Sequence, residues 1–124
     1  MAEEPVDIST GHVNIVWLAD ANAMTLRGQE HCRAPAQIIN LTGMETVNVR
    51  TAAEQLAAVL GVTAEFSGEE GATALLSNAT FGQELLGTPE ISAGQVIDWT
   101  ADWVGNSRPL LNKPTKFQVR DGKY

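Results

Sequence analysis

The chain of 124 residues has little cysteine, few basic residues and no long apolar run. Its single cysteine, Cys32, cannot form a disulfide within the chain, which agrees with a reducing compartment. Lys and Arg number 8 against 15 Asp and Glu, which gives a formal net charge of -7. Because a field of this sign repels phosphate backbones and anionic headgroups, we expect neither nucleic acid nor a membrane surface as partner.

No stretch approaches the roughly 20 consecutive apolar residues of a membrane span. The first residues also lack the basic and apolar regions of a signal peptide, so we expect a cytoplasmic protein. Hydrophobic residues make up 44% of the sequence and charged residues 19%, which is typical of one globular domain at this length.

Apolar spacing in the first third of the chain predicts short strands around one helix. Two extended segments, 6–8 and 12–18, flank a turn and predict a hairpin. Asp20 is predicted to cap a helix that ends near Arg33. Segment 37–41 carries apolar residues on both faces, which is typical of a parallel strand covered on both sides.

The middle of the chain contains the clearest helix signal. Asn48 is predicted to cap a helix that Gly61 ends, because apolar residues recur between them at helical spacing. Alternation over 62–67 predicts a half-buried strand. Ser77 is then predicted to cap a short helix that stops at Gly87.

The last predicted helix opens with a capping box formed by Ser92 and Gln95. Residues 106–124 are predicted to form an extended tail with one strand at 116–120, after a domain that spans 1–105. The predicted fold class is therefore α/β (α+β), a small mixed sheet of short strands with three to four helices.

Three short motifs follow one another in an order found in a known family. They read IINLTG at 38–43, ETVNV at 45–49 and LLGTP at 85–89, and a Trp-bearing helix follows them. Over residues 6–104 their order and spacing resemble the C-terminal region of an extended short-chain dehydrogenase/reductase, the NAD-dependent epimerase/dehydratase family.

The resemblance implies a domain that lacks the catalytic parts of that family. Members bind NAD or NADP on an N-terminal Rossmann domain through a Gly-rich turn, and use a Tyr with a Lys four residues later. Here Gly68 and Gly71 have no third glycine at the required place, and the only tyrosine is the last residue, Tyr124. The resemblance thus implies a substrate-binding domain without catalytic residues. It also implies that this domain binds no cofactor by itself and that its partner is the missing Rossmann domain.

A polar cluster precedes the predicted short helix. It contains Glu69, Glu70, Thr73, Ser77 and Asn78, where free helix amides could meet an anionic or hydroxylated ligand. The family position implies that Thr73, Ser77 and Asn78 contact a sugar or nucleotide-sugar substrate. The alternative is a capped and solvated loop.

The same segment departs from the pattern of many nucleotide-sugar members. Their Asp and Lys align with Asn78 and Phe81, and no Arg occurs between Arg50 and Arg108. The route by which those members bind a nucleotide diphosphate is therefore incomplete here, and both the substrate and the choice of NAD or NADP stay open.

Without a Rossmann domain, strand 37–41 would lose its neighbours and leave unpaired backbone groups. We therefore expect a homo-oligomer or rearranged strands. A second hypothesis is a freestanding, non-enzymatic α/β module that binds a partner protein through this edge. A small hydrolase is a weaker third hypothesis, because no nucleophile and base can be paired.

Other candidate residues favour structural roles. His31 and Cys32 are metal-ligand types, but neighbours on a helix point about 100 degrees apart, so we predict no metal site and a buried thiol. Asp98 and Asp102 share one helix face and are predicted to be a solvated pair.

The three tryptophans, Trp17, Trp99 and Trp103, could form a stacking platform for a ligand. Because Trp99 and Trp103 lie at helical spacing, we predict instead that they anchor the core.

Overall fold

The computed structural model describes residues 4–74, 76–111 and 113. Within them lie four α-helices and four short strands, and this arrangement confirms the predicted α/β fold class. Helices long and apolar enough to cross a bilayer are absent from this part of the chain. The elements are β1 (Val6–Asp7), β2 (His12–Asn14), α1 (Leu18–Gly28), a 3-10 turn (Gln29–His31), β3 (Thr46–Asn48), α2 (Val49–Leu60), β4 (Phe66–Ser67), α3 (Thr80–Leu86) and α4 (Ala93–Gly105).

The strands form two separate pairs. β1 runs parallel to β4, with Val6 opposite Phe66, and β2 runs antiparallel to β3, with Asn14 opposite Thr46. The predicted hairpin between the first two segments is therefore wrong. A turn does follow β1, where Asp7 Oδ1 accepts the amide of Ser9 at 2.8 Å, but both strands pair with partners distant in sequence. The local signal predicted the turn and could not predict the partners.

Helix α1 begins before the predicted cap. Trp17 occupies the N-cap position, and Asp20 lies in the first helical turn. Asp20 Oδ2 accepts the amide of Ile91 at 3.0 Å, so its carboxylate joins α1 to the loop before α4. The helix ends at Gly28 and the 3-10 turn follows, which is shorter than the predicted end near Arg33.

Segment 37–41 is not a strand in the described structure. Ile38 exposes 90% of its surface, while the carbonyl oxygen of Asn40 and the side chain of Ile39 lie against Gly82 of α3. A strand of a parallel sheet is stabilised by ladders to its neighbours, and none of the described strands lies beside this one. The prediction failed because apolar residues on both faces indicate a strand covered on both sides. The described residues do not provide those covering layers.

Helix α2 confirms the clearest sequence signal. Asn48 Oδ1 accepts the amide of Thr51 at 2.9 Å, and Gly61 ends the helix in the left-handed conformation at φ 68°. Glycine adopts this conformation without the penalty that a Cβ imposes. The strand predicted after Gly61 is reduced to the two residues of β4, and Val62 is half exposed.

Helix α3 starts later than predicted. Asn78 Oδ1, rather than Ser77, accepts the amide of Thr80 at 3.0 Å, and the helix ends before Gly87 as predicted. Arg27 of α1 donates to the carbonyl oxygen of Leu86 at 3.0 Å. The end of α3 is thereby attached to α1.

Helix α4 has the predicted capping box and packs against α2. Their buried faces carry small residues, Ala57 on α2 and Ala101 on α4, which allow two helices to approach closely. Ile8 and Met24 are the largest fully buried side chains. The predicted strand 116–120 lies outside the described residues.

Candidate functional site

A groove of about 320 Å³ lies between the ends of β2 and β3 and the start of α3. Its walls come from three parts of the chain that are distant in sequence, namely the paired strands, the segment before β3 and the segment leading into α3. The lining residues are Asn14, Gly43, Met44, Thr46, Leu76, Ser77, Asn78, Ala79, Thr80 and Gln83.

Asn14 connects these walls. Its Oδ1 accepts the amide of Ser77 at 2.9 Å, and its Nδ2 donates to the carbonyl oxygen of Glu45 at 3.3 Å. The same residue pairs with Thr46 across the two strands. One side chain thus fixes the strands, the segment before β3 and the segment before α3 relative to one another.

Two of the three predicted site residues lie in the groove. Ser77 and Asn78 line it, whereas Thr73 lies earlier on the same loop and is not among the described lining residues. Asn78 is held from both sides, because its carbonyl oxygen accepts from Asn40 Nδ2 at 3.1 Å and its Oδ1 caps Thr80. Its Nδ2 group makes no hydrogen bond to the described residues.

Two backbone amides of the segment leading into α3 are already bound by the protein. Asn14 takes the amide of Ser77, and Asn78 takes that of Thr80. A ligand in the groove would not meet these two amides, and contact between other helix amides and a ligand stays a prediction.

Glu70 lies at a different site from Ser77 and Asn78. It pairs with Arg50 at 2.8 Å, and the Arg50 guanidinium lies 4.5 Å from the centre of the Phe66 ring. The hydrogen bond from Arg50 holds the pKa of the Glu70 carboxyl below its usual value, and Asn48 adds a second donor. This pair joins the loop after β4 to α2, so the predicted polar cluster is two separate groups.

A second carboxylate is also shifted by hydrogen bonds. The backbone amide and side chain of Ser9 lower the pKa of the Asp7 carboxyl, at the turn after β1. Asp7 Oδ1 thus serves as an acceptor within that turn.

The tryptophans are not core residues, which corrects the prediction. Trp17, Trp99 and Trp103 expose 38%, 44% and 43% of their surfaces. Trp17 and Trp99 meet edge to face with ring centres 5.1 Å apart, and Trp103 donates from Nε1 to the carbonyl oxygen of Pro109. Helical spacing placed Trp99 and Trp103 on one face, but buried Ile97 and Ala101 occupy the covered side of α4.

The remaining candidates have local roles. His31 and Cys32 are exposed, which corrects the predicted buried thiol, and Cys32 Sγ donates to the carbonyl oxygen of Gly28 at 3.8 Å. Asp98 and Asp102 are both exposed, as predicted, and Asp102 pairs with Arg108 at 3.4 Å. Across residues 4–74, 76–111 and 113, His, Cys, Asp and Glu side chains do not gather in threes as metal ligands would.

Residues around Gly68 do not fit a dinucleotide-binding turn. Gly68 follows β4 at φ 76°, but the described chain after Gly71 forms no helix until Thr80. A pyrophosphate in such a turn rests on the N-terminus of a helix that begins directly after the glycines. The turn at Gly68 therefore does not have the form of a dinucleotide-binding turn.

Sequence reasoning missed several groove residues. The missed residues lie on elements that are distant from one another in the chain, and they are Asn14, Thr46 and Gln83. Asn14 carried one available signal, because a polar residue interrupts an otherwise apolar run at 12–18. The pairing of β2 with β3, which brings Thr46 beside it, had no local signal.

Comparison with known proteins finds similarity in structure rather than in sequence. No protein-family model matches the chain, and no curated protein matches it significantly. The fold is similar to UDP-glucuronic acid 4-epimerase from Bacillus cereus in complex with NAD, at a TM-score of 0.64 and 16% identity over 84% of this chain and 35% of that one.

Two further solved structures agree. The same Bacillus cereus enzyme in complex with UDP-glucuronic acid and NAD matches at a TM-score of 0.65 and 16% identity, over 85% of this chain and 36% of that chain. A UDP-galactose 4-epimerase matches at 0.64 and 20% identity, over 86% and 37%. The chain thus has the fold of part of these enzymes and spans about a third of their length.

Proposed function

We propose that this chain is a substrate-binding domain of an NAD-dependent sugar or nucleotide-sugar epimerase or dehydratase, and that it is not catalytic by itself. The similarity to part of the sugar epimerases, over more than four fifths of the chain, is the observation that carries the proposal. The groove supports it, because Ser77 and Asn78 are neutral hydrogen-bonding residues at the position where the family resemblance puts the substrate.

The proposal also includes NAD or NADP as the cofactor of the full-length enzyme. The matched Bacillus cereus structures contain NAD, whereas the glycines of this chain do not fit a dinucleotide turn. The cofactor would therefore be held by a Rossmann domain that packs beside this one, and the chemistry would take place where the two meet.

The proposal is tested by ligand-observed NMR with the purified chain. Saturation should transfer to sugars and sugar nucleotides and not to NAD, and no reduced nicotinamide should form when NAD and the sugars are mixed with the chain. Asn78→Ala should reduce the sugar signal, while Asn22→Ala, an exposed position on α1, should leave it unchanged. Turnover by the chain alone, or equal signals from both variants, would contradict the proposal.

A second candidate function is a protein-interaction module without enzymatic activity. The exposure of Ile38 favours it, because an exposed apolar side chain can be covered by another protein or by a second copy of the chain. A homo-oligomer formed in this way remains a prediction. Light scattering of the wild type and of Ile38→Glu tests it, since only the wild type should have the mass of a dimer or larger assembly.

A further inference from the structure

The groove presents neutral hydrogen-bonding groups that the protein leaves unused. Within the described part of the chain, the hydroxyls of Thr46, Ser77 and Thr80 make no hydrogen bond, and neither does the side chain of Gln83. The Nδ2 group of Asn78 is equally available among the described residues, because only Oδ1 of this side chain is bound, by the amide of Thr80. Hydroxyls both donate and accept, and primary amides do the same through two different atoms.

Apolar side chains lie beside these groups. Met44 exposes 65% of its surface and Leu76 44%, and both line the groove. A sugar ring has hydroxyls at its edge and C–H groups on its faces, so it can use both kinds of contact at once. Small-molecule sites generally combine apolar walls with a few placed polar groups.

The charge of the site is unsuited to phosphate. Every described residue of the groove is uncharged, and the formal net charge of the chain is -7. Two arginines of the described chain are engaged elsewhere, Arg27 with the carbonyl oxygen of Leu86 and Arg50 with Glu70. Phosphate groups are recognised mainly by Arg, Lys or helix N-termini, and two amides at the start of α3, those of Ser77 and Thr80, are already bound.

We propose that the groove binds a neutral, polyhydroxylated sugar moiety, and that a diphosphate adds no affinity on this chain. The inference rests on the proposed function and narrows its substrate class. The size of the groove supports it, because about 320 Å³ lies at the lower end of the roughly 300–1,000 Å³ typical of small-molecule sites. One sugar ring, rather than a whole sugar nucleotide, is the ligand of matching size.

The test follows backbone amide signals of the ¹⁵N-labelled full chain during titration. The probes are methyl β-D-glucopyranoside and methyl β-D-galactopyranoside, the corresponding UDP-sugars, and UDP alone. We expect the glycosides to shift the signals of Ser77, Asn78 and Thr80, and UDP to leave them in place. Each UDP-sugar should bind less than about tenfold tighter than its glycoside, because a charge-assisted phosphate contact contributes about that factor or more.

Two outcomes overturn the inference, and they differ. If a UDP-sugar binds tenfold tighter or more through the groove, or if UDP alone shifts the groove signals, the neutral class is wrong while the proposed function stands. If none of the probes shifts the groove signals, the proposed substrate-binding function fails and the inference fails with it.

A charge-insertion pair checks the electrostatic reason. Gln83→Arg puts a guanidinium among the lining residues, whereas Gln55→Arg makes the same change at an exposed position of α2. We expect only Gln83→Arg to gain affinity for UDP, by about tenfold. If the two variants bind UDP with equal affinity, the uncharged lining of the groove is not what excludes phosphate, and the inference is overturned.

Discussion

Replacement of Gly82 by alanine separates tertiary packing from helix propensity. Gly82 is buried in α3, and a Cβ built there would collide with the carbonyl oxygen of Asn40 and lie 3.1 Å from Ile39 Cγ2. Propensity alone favours alanine in a helix by about 1 kcal/mol. Overpacking a well-filled site costs about 1–3 kcal/mol, and a backbone atom yields less than a flexible side chain.

The two effects have opposite signs, and the clash should win. With a packing cost near the upper end, about 3 kcal/mol, and a propensity gain of about 1, the free energy of unfolding should fall by about 2 kcal/mol. For a chain of this length the melting temperature should then drop by about 8 °C. Urea unfolding followed by circular dichroism measures the first quantity, and a thermal scan measures the second.

Gly94→Ala is the matched control. Gly94 is exposed in the first turn of α4, and its nearest atom to a new Cβ is Ser92 Oγ at 3.9 Å, an ordinary contact. This variant should be more stable than the wild type by about 0.5–1 kcal/mol. If Gly82→Ala is as stable as Gly94→Ala, segment 37–41 does not pack on α3 as described.

Three further changes test the ends and surfaces of the helices. Asn48→Ala removes the N-cap of α2 and should lower the free energy of unfolding, measured in urea, by about 1 kcal/mol. Asn48→Ser keeps a cap without putting a second carboxylate beside Glu70 and should retain most of the stability. The Glu70 carboxyl should titrate below its ordinary pKa by NMR, and Arg50→Gln should return it toward that value. Because the folded-state pKa is lowered, this pair stabilises the fold above the unfolded-state pKa and stops doing so as pH falls through the folded-state pKa. A double-mutant cycle of Trp17→Leu and Trp99→Leu should give a coupling of about 0.5–1.5 kcal/mol, and a coupling near zero would contradict their edge contact.

Helix caps were predictable from the sequence wherever the two hydrogen-bonded residues lie within one helical turn of each other. The capping box of Ser92 and Gln95, the Asn48 cap and the left-handed Gly61 all follow from atoms a few residues apart. Asp20 shows the limit of this reasoning. Its residue type and position predicted an N-cap. Its carboxylate instead accepts a hydrogen bond from the amide of Ile91, which lies 71 residues away in the chain.

The candidate site was half predictable for the same reason. Ser77 and Asn78 belong to one loop whose polar composition is visible in the sequence. Asn14, which holds that loop through the amide of Ser77, acts across 63 residues. The pairing of β2 with β3 that puts it there depends on a register that no short window encodes.

The failures on apolar residues share one physical cause. Ile38 and the exposed tryptophans Trp17 and Trp99 were predicted as strand or core, yet they expose from 38% to 90% of their surfaces. Hydrophobic periodicity predicts that a side chain is buried. It does not predict whether the same chain or another protein buries it. Under the proposed function a Rossmann domain would cover Ile38, since segment 37–41 has the composition of a buried parallel strand. On that reasoning Ile38→Glu should leave the stability of the isolated chain within about 0.5 kcal/mol, because the side chain is already in water. The same substitution should abolish association with a partner that adds strands to this edge, and a large loss of stability in the isolated chain would show that the cover lies within it.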